Sequence, residues 1–444
     1  MKNYQGKKVA VLGLGRSGEA AAILLFALGA QVSVLDSAEP ETIDAAKTLK
    51  LGGMGLHLLA GKHAEESDAP YDLAVISPGI DPKCALVQNL LRRGVPIIAE
   101  IELAYQNSPT PVIGITGTNG KTTTTELVAA MLTSVGTRTV AGGNIGKPYS
   151  EIVHEGHPLD VITLEVSSFQ LERIQKFRPA ISVWLNLTPD HLDRYDNTED
   201  YRAAKLRIFE NQQADDWAIV NFRDQLPPLT AKRITFSAYE PGADLHLQDE
   251  VIHYKGEPLL DPRETRLRGD HNTENLMAAL GIGLARGLTA DQMRPALRDY
   301  RPQPHRCEVV RELDGVVYVN DSKATNLDAL AKALSSEKRP VILIAGGKDK
   351  GFEFDTLAGA VGEKARWVVL IGEMAGRIAN AWQEHVPCER VMSLQEAVRV
   401  AWSLARPGEV VLFSPGTSSF DMFKSYADRG NQFRTLVNAL QPAG

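Results

Sequence analysis

The chain has 444 residues, of which 43% are hydrophobic and 23% charged, and its formal net charge is -7 at pH 7. This composition is typical of globular proteins, and the negative balance excludes the basic surface expected of a nucleic-acid-binding protein. At roughly 150 residues per domain, the length predicts about three domains. Cys84, Cys307 and Cys388 form no metal or redox motif, and the apolar stretch 20–28 is too short to span a bilayer. We therefore expect a cytoplasmic protein without membrane insertion.

The first predicted elements are a strand at 8–12, a glycine-rich turn, a helix, and a second strand that ends at Asp36. The turn, residues 13–18, reads Gly-Leu-Gly-Arg-Ser-Gly. Such glycines let the backbone approach a pyrophosphate at a helix N-terminus, which is typical of dinucleotide-binding folds. The same geometry serves any nucleoside diphosphate. A nicotinamide-dependent dehydrogenase is one interpretation of this segment.

A further strand and turn, residues 72–80, contain Ser77-Pro78-Gly79. Ligands of open α/β sheets bind at the carboxyl ends of the strands, so the turn is predicted to form another wall of the same cleft. A turn without ligand contact explains the same residues. A polar linker with two prolines follows at 107–111, and it predicts a first domain of residues 1–108.

The second domain opens on a glycine-rich loop, residues 117–123, which reads Gly-Thr-Asn-Gly-Lys-Thr-Thr and lies between a strand-like run and a helix. In such loops backbone N–H groups surround an anion, the lysine reaches terminal phosphates, and the next hydroxyl ligates Mg²⁺. Ile115 stands where the general motif has glycine, so the loop is a shortened form. The sequence therefore predicts a nucleoside triphosphate site around Lys121 and Thr122.

Two nearly continuous apolar runs, 160–166 and 180–187, predict strands buried on both faces of a parallel sheet. Glu165 and His191 lie at or beyond their carboxyl ends, where the sheet rule brings them towards the phosphates. Carboxylate, imidazole and the Thr122 hydroxyl together predict a Mg²⁺ site. Read singly, Glu165 could pair with a lysine and His191 could cap a turn.

The rest of the second domain is predicted to contain a helix at 198–211, which includes Lys205, and a hairpin around Asp249. The polar residues 270–275 precede a predicted helix at 276–286, and a helix cap and a nucleotide contact explain them equally well. Prolines near residue 302 predict the second boundary, which gives domains of residues 109–301 and 302–444.

The last domain alternates strands and helices, which predicts a third parallel sheet and an α/β fold class for the whole chain. The predicted strands are 316–320, 341–345, 367–371 and 410–413. Their ends carry cations and hydroxyls, in the segments 321–326, 346–350 and 414–419.

Three α/β domains around a central Gly-Thr-Asn-Gly-Lys-Thr loop resemble the Mur ligases, the ATP-dependent amide-forming enzymes of bacterial peptidoglycan synthesis. The resemblance covers the whole chain and is closest to the members that add D-glutamate. Its motifs are residues 13–18 and 77–80, Gly-Gly-Asn-Ile-Gly (142–146), Glu-Val-Ser-Ser-Phe-Gln-Leu (165–171), Asp-His-Leu-Asp-Arg-Tyr (190–195), Tyr-Arg-Ala-Ala-Lys (201–205), Pro-His-Arg (304–306) and Asn-Asp-Ser-Lys-Ala-Thr-Asn (320–326).

The resemblance implies a Rossmann-like N-terminal domain for a UDP-linked substrate, a central P-loop domain for ATP, and a C-terminal Rossmann-like domain for the amino acid. Implied ATP contacts are Gly117, Thr118, Asn119, Gly120, Lys121, Thr122, Thr123, Asn275, Arg306 and Asp321. Implied contacts of the UDP-substrate are Gly15, Arg16, Ser17, Asp36, Ser37, Ser77 and Asn144. Those of D-glutamate are Lys323, Thr325, Lys350, Ser419 and Phe420. Two Mg²⁺ ions are implied at Thr122, Glu165, His191 and Lys205.

The implied reaction joins D-glutamate to UDP-N-acetylmuramoyl-L-alanine through an acyl phosphate, with Lys121, Glu165, His191, Lys205 and Lys323 as the catalytic set. Lys205 is implied to carry a carbamate, because the motif at 201–205 matches the segment that bears it. We expect a monomer. The dehydrogenase alternative leaves the loop at 117–123 unexplained, and a nucleotide-dependent switch leaves Glu165, Lys205 and Lys323 without a role.

Overall fold

The computed structural model describes residues 4–191, 194–301 and 303–442. They form two compact units. The first unit comprises residues 4–187, 199–261 and 274–298, and the second comprises the remaining described residues. Leu192 and Asp193 of the 190–195 motif, and Pro302 at the predicted second boundary, lie outside the described residues. The domain limits 1–108, 109–301 and 302–444 stay predictions.

The first sheet, in the first unit, is wholly parallel with strand order β3-β2-β1-β4-β5. Apolar side chains from both faces of the sheet pack beneath helices, as its nearly continuous apolar strands predict. Its elements are β1 Lys8–Leu12, α1 Arg16–Ala27, β2 Gln31–Asp36, a 3₁₀ turn Pro40–Thr42, α2 Ala45–Gly53, β3 His57–Ala60, α3 Lys62–Glu65, β4 Leu73–Ile76, α4 Ala85–Arg92, β5 Ile97–Ala99 and α5 Glu100–Gln106.

The second sheet has nine strands, in the order β14-β13-β12-β11-β10-β9-β6-β8-β7, and only the β12–β14 edge is antiparallel. Its elements are β6 Val112–Thr116, α6 Lys121–Ser134, β7 Thr139–Gly143, α7 Tyr149–Glu155, β8 Val161–Glu165, α8 Ser168–Leu171, β9 Ile181–Trp184, α9 Thr198–Leu206, a 3₁₀ turn Arg207–Phe209, β10 Trp217–Asn221, β11 Lys232–Ser237, β12 Leu245–Gln248, β13 Val251–Tyr254, β14 Glu257–Leu260, a 3₁₀ turn Pro262–Glu264, α10 Asp270–Ala285 and α11 Ala290–Asp299.

The third sheet belongs to the second unit and has the strand order β15-β16-β20-β17-β18-β19. Two buried clusters, one on each face, form its core. Its elements are β15 Glu308–Leu313, β16 Val316–Asn320, α12 Leu327–Ser336, β17 Val341–Ala345, a 3₁₀ turn Phe354–Leu357, α13 Ala358–Lys364, β18 Ala365–Leu370, α14 Ala375–Trp382, β19 Cys388–Arg390, α15 Leu394–Leu404, β20 Val410–Phe413 and α16 Tyr426–Asn438.

The structure corrects three details of the predicted elements. The helix at 198–211 ends at Leu206 and continues as a 3₁₀ turn. Residues 270–275 do not precede the next helix but form its first turns. The third sheet is not wholly parallel, because β15 pairs antiparallel with β16 across Asp314-Gly315. Both turn residues have positive φ, 52° and 75°, as a two-residue Asp-Gly hairpin requires.

Helix α5 joins the first two sheets within the first unit. Ile101 and Ala104 pack in the same buried cluster as Val112 of β6. The fully buried carboxylate of Glu102 accepts hydrogen bonds from the backbone N–H groups of residues 175–177 at 2.9–3.0 Å. Glu100 accepts a hydrogen bond from the Ser150 N–H at 2.6 Å.

Among the described residues, no helix is long and apolar enough to cross a membrane.

We expect Glu102→Ala to destabilise the protein strongly. The substitution leaves three backbone donors without their acceptor, and the N–H of Phe177 among them is buried, so we expect a cost of about 2 kcal/mol or more. Urea unfolding should show the loss, while Glu41→Ala, at an exposed site, should be near neutral. An unchanged free energy of unfolding for Glu102→Ala would contradict the proposed role of this carboxylate.

Glu100 should make stability fall as pH rises, because burial raises its pKa to about 7. Between an unfolded pKa of about 4.3 and the folded value, the folded state holds a proton that the unfolded state has released. Relative to wild type, Glu100→Gln should therefore gain stability from pH 5 to pH 8, by up to about 3 kcal/mol at roughly 1.4 kcal/mol per pKa unit. Urea unfolding at both pH values measures the difference, and parallel pH profiles for the two proteins would refute the expectation.

Candidate functional site

The glycine-rich loop of the first unit joins the end of β6 to the start of α6, as predicted. Gly117 and Gly120 have φ values of 150° and 86°, which favour glycine. A Cβ on Gly120 would overlap the side-chain oxygen of Asn275. That oxygen also accepts a hydrogen bond from the Thr124 hydroxyl at 3.3 Å. The predicted nucleotide residue Asn275 therefore lies directly against the loop.

Asn186, just beyond β9, braces the loop and was not among the predicted site residues. Its carbonyl accepts the Thr118 N–H at 2.9 Å, and its side-chain oxygen accepts the Asn119 N–H at 2.9 Å. Its amide group donates to the Asn119 carbonyl at 3.0 Å. The position of Asn186 at a strand's carboxyl end was visible in the sequence, but its contacts with the loop were not.

Two lysine ammonium groups converge on the carbonyl oxygen of Gly117. Nζ of Lys121 and Nζ of Lys205 each lie 2.9 Å from it, and Lys121 also donates to the Thr118 carbonyl at 2.7 Å. Lys205 is 1% exposed and lies 4.6 Å from the centre of the Tyr201 ring, so it does not point into solvent. Because like charges this close repel, the arrangement favours a polyanion at the loop.

Thr122 and Glu165 meet beside the loop. The Thr122 hydroxyl donates to one Glu165 carboxylate oxygen at 2.7 Å, and the Asn144 amide donates to the other at 2.8 Å. Among the described residues, no group of three or more His, Cys, Asp and Glu side chains could hold a metal ion. Mg²⁺ is commonly bound by one or two carboxylates together with substrate phosphates, and the Thr122–Glu165 pair fits that pattern.

The glycine turn after β1 is tightly packed. A Cβ on Gly18 would overlap the Gly13 carbonyl, which accepts a hydrogen bond from the Ser77 hydroxyl at 3.3 Å. The Asp36 carboxylate accepts the N–H groups of Leu14 and Ala38 at 2.7 and 2.9 Å. Asp36 thus shapes the turn itself. The predicted contacts Gly15, Arg16 and Ser37 are exposed, and Ser17 is half-buried.

In the second unit, Asp321 follows β16 and lies buried. Its carboxylate accepts the Ser414 hydroxyl at 2.8 Å and the Cys307 N–H at 3.1 Å. Burial raises the pKa of Asp321 to about 6. Nearby in sequence, the ammonium group of Lys323 lies 3.8 Å from the centre of the Tyr426 ring. Asp321 and Lys323, two predicted site residues of one loop, thus have different surroundings. The Asp321 carboxylate accepts hydrogen bonds, and the Lys323 ammonium group lies against an aromatic ring.

The fully buried Arg429 of α16 connects two of the predicted strand-end segments, and sequence reasoning missed it. Its guanidinium donates to the Ser322 hydroxyl and carbonyl at 3.0 and 2.8 Å. It also donates to the carbonyls of Thr417 and Ser418 at 3.2 and 3.3 Å. Burial lowers its pKa to about 10. The guanidinium therefore fixes the backbone from which Lys323 and Ser419 project.

The remaining predicted residues of the second unit have varied surroundings. Ser419 is buried, Phe420 is 68% exposed, and Thr325, Arg306 and His191 are half-buried. Lys350 forms an ion pair with the buried Asp190 at 3.6 Å. Burial alone would raise the pKa of Asp190, but the Lys350 charge and hydrogen bonds bring that pKa below its usual value.

Three family models match consecutive parts of the chain. The Mur ligase MurD-like N-terminal domain matches residues 7–99, the Mur ligase middle domain matches 115–283, and the Mur ligase glutamate ligase domain matches 305–416. A protein of Geobacter metallireducens called UDP-N-acetylmuramoylalanine--D-glutamate ligase is 42% identical over 98% of both chains. The chain belongs to the Mur ligase family. The relative of the same name in Syntrophotalea carbinolica is also 42% identical, over the whole of both chains.

Solved Mur ligase structures share the fold. The UDP-N-acetylmuramate-alanine ligase of Thermotoga maritima has a TM-score of 0.63 at 18% identity, over 98% of this chain and 99% of that one. MurF of Acinetobacter baumannii has a TM-score of 0.63 at 15% identity, over 96% of this chain and 93% of that one. The predicted α/β fold, with three Mur ligase domains, is confirmed.

Within this Mur ligase, the first unit brings together part of the predicted site. Lys121, Thr122, Glu165 and Lys205 lie around the glycine-rich loop at 117–123. Asn144, which is predicted to contact the UDP-sugar, donates a hydrogen bond from its side-chain amide to the Glu165 carboxylate. Its contact with the sugar stays a prediction.

Proposed function

We propose that this Mur ligase joins D-glutamate to UDP-N-acetylmuramoyl-L-alanine and converts ATP to ADP and phosphate, as a step of cytoplasmic peptidoglycan precursor synthesis. The observation that carries the proposal is 42% identity, over essentially full length, to relatives named for that reaction. The phosphate loop supports the ATP half of the proposal. A monomer remains our expectation.

In the proposed reaction, an oxygen of the L-alanine carboxylate attacks the γ-phosphorus of ATP and ADP leaves. The amine of D-glutamate then attacks the acyl carbon, loses a proton, and expels phosphate. Such chemistry needs charge stabilisation and positioning more than a protein nucleophile. The ammonium group of Lys121 and the first N–H groups of α6 would supply charge and donors where phosphate oxygens become more negative.

Two Mg²⁺ ions are part of the proposal, and Thr122, Glu165, His191 and Lys205 would hold them. Bound Mg²⁺ would neutralise phosphate charge. An ammonium group at Lys205 would oppose a cation, since two unit charges 4 Å apart at an effective dielectric near 20 repel by about 4 kcal/mol. Reaction of the neutral amine with CO₂ forms an N–C bond and releases a proton, leaving an anionic carbamate. We therefore propose that Lys205 is carbamylated in the working enzyme.

The remaining roles follow from the family motifs. Gly117, Thr118, Asn119, Gly120, Thr123, Asn275, Arg306 and Asp321 would complete the ATP contacts. Gly15, Arg16, Ser17, Asp36, Ser37, Ser77 and Asn144 would contact the UDP-substrate. Lys323, Thr325, Lys350, Ser419 and Phe420 would bind D-glutamate, whose two carboxylates call for fixed positive charge.

The direct test measures phosphate release with ATP and UDP-N-acetylmuramoyl-L-alanine in the presence of D-glutamate, L-lysine, diaminopimelate or no amino acid. We expect release with D-glutamate alone. Release that requires one of the other amino acids would contradict the proposed substrate. Release without UDP-N-acetylmuramoyl-L-alanine would contradict the acceptor.

Lys121→Ala should reduce kcat at least about 100-fold, because it removes a cation from the transferring phosphate. Its thermal unfolding should stay close to that of wild type, since Lys121 is half-buried at a helix start and not in a core cluster. Lys147→Ala is the matched control, because that lysine pairs with Glu155 near the protein surface. A normal rate in Lys121→Ala would rule out the proposed phosphate site.

Lys205→Ala should lose activity and regain part of it when acetate or another short carboxylate is added. The added anion would occupy the place of the proposed carbamate. Intact-mass spectrometry at raised CO₂, with Lys205→Ala as the blank, would detect the modification independently of turnover. Full activity of the variant without any additive would contradict the proposal.

A further inference from the structure

Asp190 is a buried carboxylate for which the proposed reaction has no role. It is 5% exposed and lies just before His191 in the second unit. One of its oxygens lies 3.6 Å from the Lys350 ammonium and accepts a hydrogen bond from the backbone N–H of His191 at 2.9 Å. The other accepts the Asn326 side-chain amide at 2.9 Å. A buried carboxylate is costly unless it is paired, and these contacts supply the pairing.

Asn326 links this carboxylate to the loop of a second predicted amino-acid contact. Its side-chain oxygen accepts the Ala329 N–H at 2.9 Å and so caps α12. Because this cap holds the Asn326 side chain in place on the helix, its amide group is directed at Asp190. Asn326 also ends the segment 321–326, which carries Lys323 and Thr325. Asp190 therefore joins two strand-end loops, one after β16 and the other after β17.

The contact with Asp190 restrains the side chain of Lys350. A lysine side chain is long and flexible, and fixing it when a ligand binds costs conformational entropy. The ion pair with Asp190 restrains the ammonium before any substrate arrives, and the side chain keeps 18% of its exposure. An ammonium group has three donors, so a pairing with one carboxylate is compatible with a second anion.

We propose that Asp190 is a positioning residue for recognition of the amino-acid substrate: it holds the Lys350 ammonium and, through Asn326, the 321–326 loop in the arrangement that a dicarboxylate ligand requires. The inference rests on the proposed function, in which Lys350 and Lys323 contact D-glutamate. Asp190 acts through these groups and does not itself bind the substrate. Pre-organisation of this kind lowers the cost of binding and leaves the chemical step to other residues.

The test is a double-mutant cycle on Asp190→Asn and Lys350→Gln, with kcat and KM measured for D-glutamate and for ATP. We expect each single variant to raise the D-glutamate KM about tenfold or more, with a much smaller effect on the ATP KM. Because Asp190 acts partly through Lys350, the double variant should raise the D-glutamate KM by clearly less than the product of the two single effects, and the part that remains belongs to the contact with Asn326. Fully additive effects on the D-glutamate KM would overturn the proposal.

Two further outcomes separate positioning from other roles. If Asp190 instead competed with the substrate for Lys350, Asp190→Asn would lower the D-glutamate KM, which contradicts the proposal. If its role were only structural, both KM values and thermal stability would change without selectivity for the amino acid. Asp328→Asn is the matched control, since it removes a carboxylate from the first turn of α12 that pairs with Lys332 at 2.8 Å. Its D-glutamate KM should equal that of wild type.

Asn326→Ser keeps the test decisive if Asp190→Asn does not fold. Serine retains an oxygen that can cap α12 but lacks the amide that donates to Asp190. We expect the D-glutamate KM to rise in this variant too, and an unchanged value would refute the proposal. Failure of the proposed function is distinguishable: wild type would then use another amino acid, and the same cycle would be measured with that substrate. Absence of turnover with every amino acid would contradict both proposals.

Discussion

The convergence of Lys121 and Lys205 on the carbonyl oxygen of Gly117 is the constraint on which the proposed ATP site of the first unit depends. Two ammonium groups are held together at the start of a helix whose first N–H groups also carry partial positive charge. Asn186 fixes the loop from one side and Asn275 touches it from another. A triphosphate would neutralise the positive charge at Lys121, and the proposed carbamate would remove the positive charge at Lys205.

The burial of the parallel strands determines where the predicted site residues of both units lie. Strands such as β6, β8 and β17 are buried along their whole length, so charged side chains have room only where the strands end. Lys121 and Glu165 follow that rule in the first unit, and Asp321 and Lys350 follow it in the second. The polar loops then need internal support, which Asn186 gives in one unit and Arg429 in the other.

The sequence predicted those features that depend on local pattern. The bounds of β16, β17 and β20 agree with the predicted runs residue for residue, because each is a buried strand that is apolar throughout or, in β16, up to its last residue, Asn320. The glycine loop was likewise predictable from its own residues. Contacts between distant segments were not. Nothing in the residue types shows that Arg429 donates to the carbonyls of Thr417 and Ser418, or that Glu102 accepts from residues 175–177. Such partners are set by tertiary packing.

In the proposed reaction, a substrate carboxylate is activated by phosphoryl transfer at the loop around Lys121. This step is tested most directly with UDP-N-acetylmuramoyl-L-alanine labelled with oxygen-18 in the alanine carboxylate. An acyl phosphate transfers one of those oxygens to phosphorus, and the amine of D-glutamate then expels it with the phosphate. We expect mass spectrometry to find oxygen-18 in the phosphate released in the presence of D-glutamate. Product formation with unlabelled phosphate would contradict the proposed reaction.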